Sequence, residues 1–465
     1  MLTSFKLKNF KSFHAEAELP LGGALTVLIG ANAAGKSNAL EAMRLLSWLA
    51  QGNKLSAIQH AVNQADKVVR GRVPDIFRRG ETRFSLGCSM SALPDGSSLQ
   101  MELELRADDL HIVAERMGAG DGIPLYDMDQ PSKGHSTEAG VAYNNFSRGR
   151  NKPHIPVSDQ MAVFAQLDSP ASFHANHKKA QHQIPKVCRA YQTVLSNVLF
   201  LDPVPAKMRD FSFLADKRLG GDGVNLSSVL FRLWFGRGEM AQLYGALDQL
   251  KTGRQNELAA PDFSAERNEI LSFIQSLPEQ DIQGLSFLRG PRSDVMVQLI
   301  ESFGGVNREY EAALLSDGTL RVLAIAAAML SAPEGSLVVI EEIDNGVHPS
   351  RARHLLERIQ AVAERRKLRV LLSTHNPAML DALPDRAVPD VVFCYRDPVG
   401  GDSRLVRLGN LPDAPELLIQ DSLGHLMTTG ALERFVKNHP GSEARKQKAK
   451  AWLASLRETT QGSPE

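Results

Sequence analysis

Cysteine is scarce in this chain of 465 residues, which contains three: Cys88, Cys188 and Cys394. They lie far apart and are odd in number, which argues against a disulfide framework and suits a reducing compartment. The amino-terminal segment alternates apolar and basic residues and lacks the apolar core of a signal peptide. We therefore expect a cytoplasmic location.

Net charge and long apolar runs are also absent. Lys plus Arg number 53 and Asp plus Glu number 53, so no global basic field attracts nucleic acid, and DNA binding would need a local patch. No apolar run reaches the roughly 18 residues that a membrane span requires, so we expect no membrane association. Apolar residues at 43% provide the core of an ordinary globular protein.

Local patterns predict an α/β core that is interrupted by a long insertion. Apolar residues predict strands at 2–10, 24–29, 336–340, 368–373 and 390–395, and alternation predicts antiparallel strands across 83–110. Polar composition predicts a mobile insertion with modest helix at 117–186. Helical spacing at 192–201, 226–250 and 263–277 predicts a helical lobe, and two strands follow at 295–303 and 308–314. We divide the chain into a first core part (1–115), the insertion (116–285), a second core part (286–425) and a helical tail (426–465).

The segment GANAAGKS, from Gly30 to Ser37, fits the pattern G-x-x-x-x-G-K-[ST] between a predicted strand and a predicted helix. Glycines let the backbone curl so that its amides point at phosphate oxygens, and the helix start adds a positive field. Lys36 would neutralise the β- and γ-phosphates, and the Ser37 hydroxyl would ligate magnesium. A chance match in a Gly/Ala-rich turn is the alternative, but the flanking elements favour nucleotide binding.

Two further buried strands are predicted to end in residues that can act on a nucleotide. The first, LVVI, ends at Glu341 and Glu342, so that one carboxylate can hold magnesium while the next polarises the attacking water. Asp is more usual at the first position, which leaves the metal geometry open, and a pair of helix-cap acids is the alternative. The second strand ends at His375, whose neutral imidazole could sense the γ-phosphate, although a lone histidine is more often structural.

A polar turn, Ser316 to Thr319 with the sequence SDGT, leads directly into an apolar helix. We refer to this turn as the corner. Ser316 can cap the helix by accepting a hydrogen bond from a free amide of the first turn. A cap alone does not explain why so polar a turn opens the most apolar helix of the chain.

The order of phosphate loop, insertion, corner, Glu-Glu strand and Thr-His strand resembles the ABC-type ATPase heads of the SMC and RecF group. It is more closely similar to the ATPase part of the OLD (overcoming lysogenization defect) family and its stand-alone relatives, above all in the phrase EEIDNGVHP. The resemblance covers about residues 1–110 and 285–430. It implies an α/β P-loop NTPase of the ABC-ATPase head type, with a mixed sheet flanked by helices and an inserted helical lobe.

The resemblance also implies roles for the matched residues. Glu341 would take the Walker B magnesium position, Glu342 that of the catalytic base, and His375 that of the switch histidine. Ser316 and Gly318 would belong to the ABC signature, which binds the nucleotide held by another subunit. The remaining nucleotide-binding residues would be those of the Walker A loop, with Ser37 also a magnesium ligand: Asn32, Gly35, Lys36, Ser37 and Asn38.

Two features depart from the family pattern. His348 stands six residues beyond Glu342, where SMC-type heads have the aspartate of the D-loop. Full OLD proteins carry a metal-dependent nuclease domain with an Asp-x-Asp pair after the switch histidine, and no such pair follows His375 here. We therefore expect a separately encoded effector partner.

The function that the resemblance implies is an ATPase that uses ATP and Mg²⁺, forms ATP-sandwich homodimers, and acts as a sensor or scaffold in bacterial antiviral defence. The alternative is a RecF-like DNA-binding repair ATPase. Basic clusters along the chain leave DNA binding open. The group His174, His177 and His182 is more consistent with a polar surface segment than with a metal site.

Overall fold

The computed structural model describes residues 1–59, 68–91, 97–106, 109–118, 124–149, 151–236, 264–275 and 281–438. The strands are β1 Leu2–Lys8, β2 Ala17–Pro20, β3 Leu25–Ile29, β4 Arg83–Met90, β5 Ser97–Arg106, β6 Asp109–Gly118, β7 Pro124–Gln130, β8 Glu138–Tyr143, β9 His154–Ser158, β10 Leu199–Leu201, β11 Ser212–Phe213, β12 Ile282–Arg289, β13 Asp294–Phe303, β14 Val306–Glu311, β15 Leu337–Ile340, β16 Arg369–Ser373, β17 Val391–Arg396 and β18 Ser403–Arg407. The helices are Lys36–Ala50, Val163–Gln166, Lys178–Ser196, Pro205–Met208, 226–236, Ser264–Ile274, Asp317–Ser331, Pro349–Arg365, Pro377–Asp381, Ala414–Gln420, Leu423–Thr428 and Ala431–Asn438.

A six-stranded sheet forms the centre of the molecule, in the order β10-β15-β16-β3-β17-β18, parallel except for β18. Strand β16 lies between β15 and β3. Ile340 of β15 pairs with Leu372 of β16, and Ser373 of β16 pairs with Leu28 of β3. The carboxyl ends of these three strands therefore lie side by side. In an open parallel sheet, this edge is where ligands bind.

Helices cover both faces of the central sheet. Leu28 belongs to one hydrophobic cluster together with the phosphate-loop helix, Lys36–Ala50. Val27 and Ile29 belong to a second cluster together with the corner helix, Asp317–Ser331. Burial on both faces explains why β15 is apolar throughout and β3 is apolar apart from Thr26. The architecture is the predicted mixed α/β fold of a P-loop protein, with sheets flanked by helices.

An eight-stranded antiparallel sheet, in the order β2-β1-β4-β5-β6-β7-β8-β9, contains the predicted strands across 83–110. The prediction of a mobile segment at 117–186 is wrong where the residues are described, because β7, β8 and β9 continue this sheet. Its modest helix is confirmed by Val163–Gln166 and the start of Lys178–Ser196. Its strands alternate polar residues with buried ones such as Tyr126 and Tyr143, which are 0% and 2% exposed. A strand with one solvated face is polar in composition without being disordered.

The helical predictions hold in part. The segment 192–201 is helical only to Ser196, and Leu199–Leu201 is strand β10, which makes that prediction wrong in its second half. Helices at 226–236 and Ser264–Ile274 confirm the other two segments where they are described, and residues 237–250 lie outside the described residues. The predicted strand pair is confirmed as β13 and β14, although Ala312–Leu314 at the end of the second predicted strand is a short 3-10 helix. In a third sheet, β13 pairs with β11, β12 and β14. No helix among the described residues is long and apolar enough to cross a membrane.

Candidate nucleotide site

The phosphate loop connects β3 to its helix through backbone conformations that require glycine. Gly30 has a φ of 142° and Gly35 a φ of 118°, both in the region that side chains disfavour. A Cβ on Gly30 would lie 2.1 Å from the Cys394 carbonyl oxygen, and one on Gly35 would lie 2.3 Å from Oγ of Ser403. Strands β17 and β18 therefore press directly against the loop, so any side chain at these positions would displace it.

Lys36 opens the phosphate-loop helix with its ammonium group turned back over the loop. Its Nζ donates to the carbonyl oxygens of Gly30, at 2.6 Å, and Ala31, at 3.1 Å. Burial lowers the pKa of Lys36, while Cys394 and the carboxylates of Glu342 and Asp344 raise it. The ammonium is thus within electrostatic reach of acids that follow β15, as expected for side chains at one sheet edge.

Ser37 and Asn32 are exposed on the loop and its helix. Asn38 is half-buried, and its Nδ2 donates to Oγ of Ser12 at 2.7 Å. Ser12 in turn lies 2.7 Å from Oγ of Ser403 on β18. The side-chain amide of Asn38 thus ties the phosphate-loop helix to the segment that follows β1 in the same polypeptide. The sequence did not predict this contact.

Glu341, the predicted magnesium ligand, forms an ion pair with Arg44 of the phosphate-loop helix. Nη2 of Arg44 lies 2.6 Å from Oε1 of Glu341, and the Arg44 guanidinium lies 5.0 Å from the ring of Phe200. Burial raises the pKa of Glu341, Arg44 lowers it, and Asp202 raises it. Glu341 is therefore a partly buried carboxylate with a cation on one oxygen, which the sequence did not predict.

Asp202 follows β10, the neighbour of β15, and sequence reasoning missed it as a site residue. Burial raises the pKa of Asp202, the Arg321 guanidinium lowers it, and the Glu342 carboxylate raises it. The signal in the sequence was LFLD, an apolar run that ends in an acid like the Glu-Glu strand, but the run was assigned to a helix. Strand β10 brings this third carboxylate to the edge of the sheet.

The donors at this edge fit Mg²⁺ better than a metal that needs a complete protein cage. Among the described residues, no group of three or more His, Cys, Asp or Glu side chains could by itself hold a metal ion. Magnesium is usually bound by one or two carboxylates together with substrate phosphates and water. Ser37, Glu341 and Asp202 supply hard oxygen atoms of this kind.

Glu342, the predicted catalytic base, is exposed and is held in position by its own backbone and a neighbour. Its φ of 48° is unusual for a residue other than glycine. Its amide donates to Oγ of Ser373 at 3.0 Å, and Nδ2 of Asn345 donates to its Oε2 at 2.6 Å. Left-handed backbone outside glycine persists where surrounding contacts enforce it, and such residues cluster at functional sites.

Asp344, two residues further on, is the second site residue that the sequence did not predict. Its side chain is 6% exposed; Oδ1 accepts from Oγ1 of Thr374 at 2.6 Å, and Oδ2 lies 3.6 Å from Nδ1 of His375. The acid in EEID was the available signal. His348, at the predicted D-loop position, instead caps the helix Pro349–Arg365 by accepting from the Ser350 amide.

Replacing Asp344 by asparagine is expected to slow nucleotide hydrolysis at the candidate site about tenfold while leaving nucleotide binding nearly unchanged. Asparagine keeps an oxygen for Thr374 but loses the charge beside Nδ1 of His375, so the imidazole is oriented less well. Steady-state phosphate release and nucleotide titration measure the two effects. The matched control is Asp385→Asn, an exposed carboxylate on a later turn. Equal rates for both variants would contradict the role of Asp344.

The corner is exposed at Ser316 and Asp317, and the predicted cap is confirmed. Oγ of Ser316 accepts from the Thr319 amide at 3.1 Å. A Cβ on Gly318 would lie 2.3 Å from the carbonyl oxygen of Gly346, so the corner packs on the loop that carries Glu342. The structure thus brings the strand-end residues together and leaves the corner open to solvent. These positions agree with the predicted roles, which stay predictions.

Sequence models of two ATPase families match the chain in two separate segments. Residues 1–89, which include the phosphate loop, match the family described as "AAA ATPase domain". Residues 215–381, which include the corner, Glu342 and His375, match the family described as "AAA domain, putative AbiEii toxin, Type IV TA system". The two matched segments therefore contain the phosphate loop, the corner, Glu342 and His375, whereas Asp202 lies between them.

Curated relatives and solved structures are similar over parts of the chain. The chromosome partition protein Smc of Rhodopirellula baltica is 25% identical over 201 residues, which are 40% of this chain and 15% of that protein. The DNA replication and repair protein RecF of Gloeobacter violaceus is 32% identical over 106 residues, which are 23% of each. The chain thus spans less than a quarter of the length of either relative.

Among solved structures, the SMC head domain from Thermotoga maritima is 12% identical with a TM-score of 0.40, covering 87% of this chain and 98% of that one. The Smc head domain bound to the C-terminal domain of ScpA, derived from Pyrococcus furiosus, is 14% identical with a TM-score of 0.44, covering 90% and 98%. The chain is thus similar to ATPase domains in two segments, and to SMC and RecF proteins over parts of its length.

Proposed function

We propose that this protein binds and hydrolyses ATP with Mg²⁺ and forms ATP-sandwich homodimers. The observation that carries the proposal is the register of the central sheet, which aligns the carboxyl ends of β3, β15 and β16. Lys36, Glu342 and His375 follow those three ends. Such an arrangement supports phosphoryl transfer to water, which depends on positioning and charge stabilisation more than on covalent chemistry.

In this mechanism, the amides of the phosphate loop and the Lys36 ammonium hold the β- and γ-phosphates. Magnesium, bound through Ser37 and a strand-end carboxylate, would neutralise charge that develops on the phosphate oxygens. Glu342 accepts a proton from the attacking water, and Asn345 keeps its carboxylate oriented. The His375 imidazole contacts the γ-phosphate through Nε2, and Oδ2 of Asp344 lies 3.6 Å from its Nδ1.

The corner acts on the nucleotide of a second subunit. Its hydroxyl at Ser316 and the amides of the first helical turn form a site that suits a phosphate group. The apolar helix behind it is almost wholly buried, from Leu320 to Met329, and fixes its direction. Two such corners in a twofold dimer would each close on the nucleotide of the other subunit, so that ATP stabilises the dimer by mass action.

The cellular role that we propose is that of a sensor or scaffold for a separately encoded effector in bacterial antiviral defence. Its support is the resemblance of EEIDNGVHP to the OLD branch. The second candidate is a DNA-binding repair ATPase, which the 32% identity with RecF favours. The two differ in one measurable property, because DNA affinity that depends on ATP and falls steeply with salt belongs to the second.

The test of the proposed function is the mass of the Glu342→Gln protein with and without ATP and Mg²⁺, measured by light scattering. We expect a dimer with ATP, since substitution of the base prevents hydrolysis from releasing the second subunit. Adding duplex DNA at two salt concentrations in the same experiment separates defence from repair. A mass that ATP does not change would overturn the sandwich dimer.

Ser316→Arg, made in the Glu342→Gln background, is expected to leave ATP binding by one subunit within about threefold and to weaken ATP-driven dimerisation at least about 100-fold. The arginine would occupy the space that the other subunit's phosphate needs, while the cap matters only to its own helix. Nucleotide titration and light scattering measure the two quantities. Ser147→Arg, exposed beside the antiparallel sheet, is the control. If the variant dimerised as tightly as the Glu342→Gln protein, the corner would act only as a helix cap.

A further inference from the structure

An acid stands in the middle of the corner, where a phosphate is proposed to bind. Asp317 lies between Ser316 and Gly318, and its side chain is 65% exposed. Its charge favours its own helix, since an acid in the first turn complements the helix dipole. The same charge would repel the triphosphate of a second subunit, because like charges at an interface oppose association. Something must offset Asp317 if the corner binds phosphate.

Arg209 supplies the opposite charge from a distant part of the chain. One guanidinium nitrogen, Nη2, donates to Oδ1 of Asp317 at 2.7 Å and to the carbonyl oxygen of Leu315 at 2.9 Å. The two acceptors lie on either side of Ser316. Nη2 of Arg209 therefore bridges the residues before and after Ser316 and places a positive charge beside the Asp317 carboxylate.

Packing of the preceding helix fixes the backbone position of Arg209. It follows the short helix Pro205–Met208, in which Pro205 and Met208 are buried, and this helix packs against the corner helix. The Arg209 side chain is 31% exposed, which leaves part of the cation in contact with solvent beside the corner. Six residues of chain separate Arg209 from Asp202, the carboxylate that follows β10.

We propose that Arg209 is a positioning residue of the corner, which makes it receptive to the triphosphate held by a second copy of this chain. By pairing with Asp317 it removes the repulsive charge, and its hydrogen bond to the Leu315 carbonyl oxygen keeps the guanidinium in place at the corner. The proposal rests on the sandwich dimer proposed above and identifies the residue that lets an acidic turn bind an anion. Arg209 acts through Asp317 and touches no phosphate of its own subunit.

An ordinary surface ion pair would give a different result. Exposed pairs contribute little to stability, so a purely structural role predicts a small change in melting temperature and no change in dimerisation. A positioning role predicts that the dimer alone is affected, and that removing Asp317 restores it. The reversal by a second substitution is what a structural role cannot produce.

The experiment measures ATP-driven dimerisation of four proteins, all carrying Glu342→Gln: the parent, Arg209→Gln, Asp317→Asn and the double variant. We expect Arg209→Gln to weaken the dimer about tenfold for each corner, hence about 100-fold for a dimer that contains two. Asp317→Asn should dimerise at least as well as the parent. The double variant should lie within about threefold of Asp317→Asn.

Two controls keep the outcome interpretable. Lys207→Gln removes a neighbouring ion pair, with Asp222 at 2.7 Å, from the same short helix and should leave dimerisation at the parent's value. Arg209→Lys keeps the charge and should dimerise nearly as well as the parent. It replaces Arg209→Gln as the test variant if that protein does not fold. ATP binding by each monomer is measured alongside and should not change.

The failures are distinguishable. If the parent does not dimerise with ATP, the proposed function fails and Arg209 has no corner to position. If the parent dimerises and Arg209→Gln matches it, the inference about Arg209 is wrong while the sandwich stands. A double variant as weak as Arg209→Gln would also overturn the inference, because charge balance would then not be the cause.

Discussion

ATP hydrolysis by the Glu342→Gln protein is expected to be about a thousandfold slower than that of the natural chain, a loss typical of a missing general base. The carboxylate is exposed at the edge of the sheet, and Asn345 holds one of its oxygens at 2.6 Å. Glutamine can keep that hydrogen bond but cannot accept the proton of the attacking water. Single-turnover phosphate release measures the chemical step directly.

Binding should separate this effect from a general loss of structure. Glu342→Gln should bind ATP as well as the natural chain or better, since removing a carboxylate reduces repulsion of the γ-phosphate. The matched control is Glu334→Gln, which removes a carboxylate that pairs with Lys367 at 3.0 Å before β15. Hydrolysis by the Glu342 variant at the rate of this control would rule out Glu342 as the base.

Local patterns predicted the elements that carry the site. The glycine loop needs positive φ angles at Gly30 and Gly35, and only a few residue types allow them, so the pattern is specific. Burial on both faces makes β15 apolar throughout and β3 apolar apart from Thr26. A polar residue that follows such a strand is easy to recognise in the sequence. The adjacency of Lys36, Glu342 and His375 then follows from parallel strands.

Contacts between distant segments could not be predicted in the same way. Arg44 meets Glu341 across 297 positions of sequence and Arg209 meets Asp317 across 108, and no periodicity encodes either pair. Asp344 was missed because its significance depends on which side chains surround it. The strands β7 to β9 were missed because their solvated faces make the composition polar. Whether such a segment forms a strand depends on the strands beside it, which can be distant in sequence.

The ion pair between Arg44 and Glu341 also changes how the metal site is understood. A carboxylate that already faces a guanidinium is a weaker magnesium ligand than a free one, because the cation would have to share or displace that partner. Asp202 follows β10, which pairs directly with β15, the strand that Glu341 follows. At position 341, where such sites usually have aspartate, this chain therefore has a glutamate whose carboxylate pairs with Arg44.

Lys36→Ala is expected to reduce affinity for ATP about 100-fold, because the ammonium would make two charge-assisted contacts with the β- and γ-phosphates. The group is already over the loop, 2.6 Å from the Gly30 carbonyl oxygen. Its pKa is lowered by burial, but the acids beside it oppose that shift and favour the charged form. Isothermal titration with Mg²⁺ and ATP measures the affinity.

Thermal unfolding gives an independent reading of the Lys36 variant. A ligand at 100 times its dissociation constant stabilises the folded state by about 2.7 kcal/mol. At that concentration the natural chain should melt at a higher temperature with ATP, whereas Lys36→Ala should gain only about 0.4 kcal/mol, since its affinity is expected to be 100-fold weaker. Lys54→Ala, which removes an exposed lysine beyond the far end of the phosphate-loop helix, should be stabilised as fully as the natural chain. A full ATP-dependent shift in the Lys36 variant would mean that the loop does not bind the triphosphate, and that Glu342 and His375 must then act on a ligand held elsewhere.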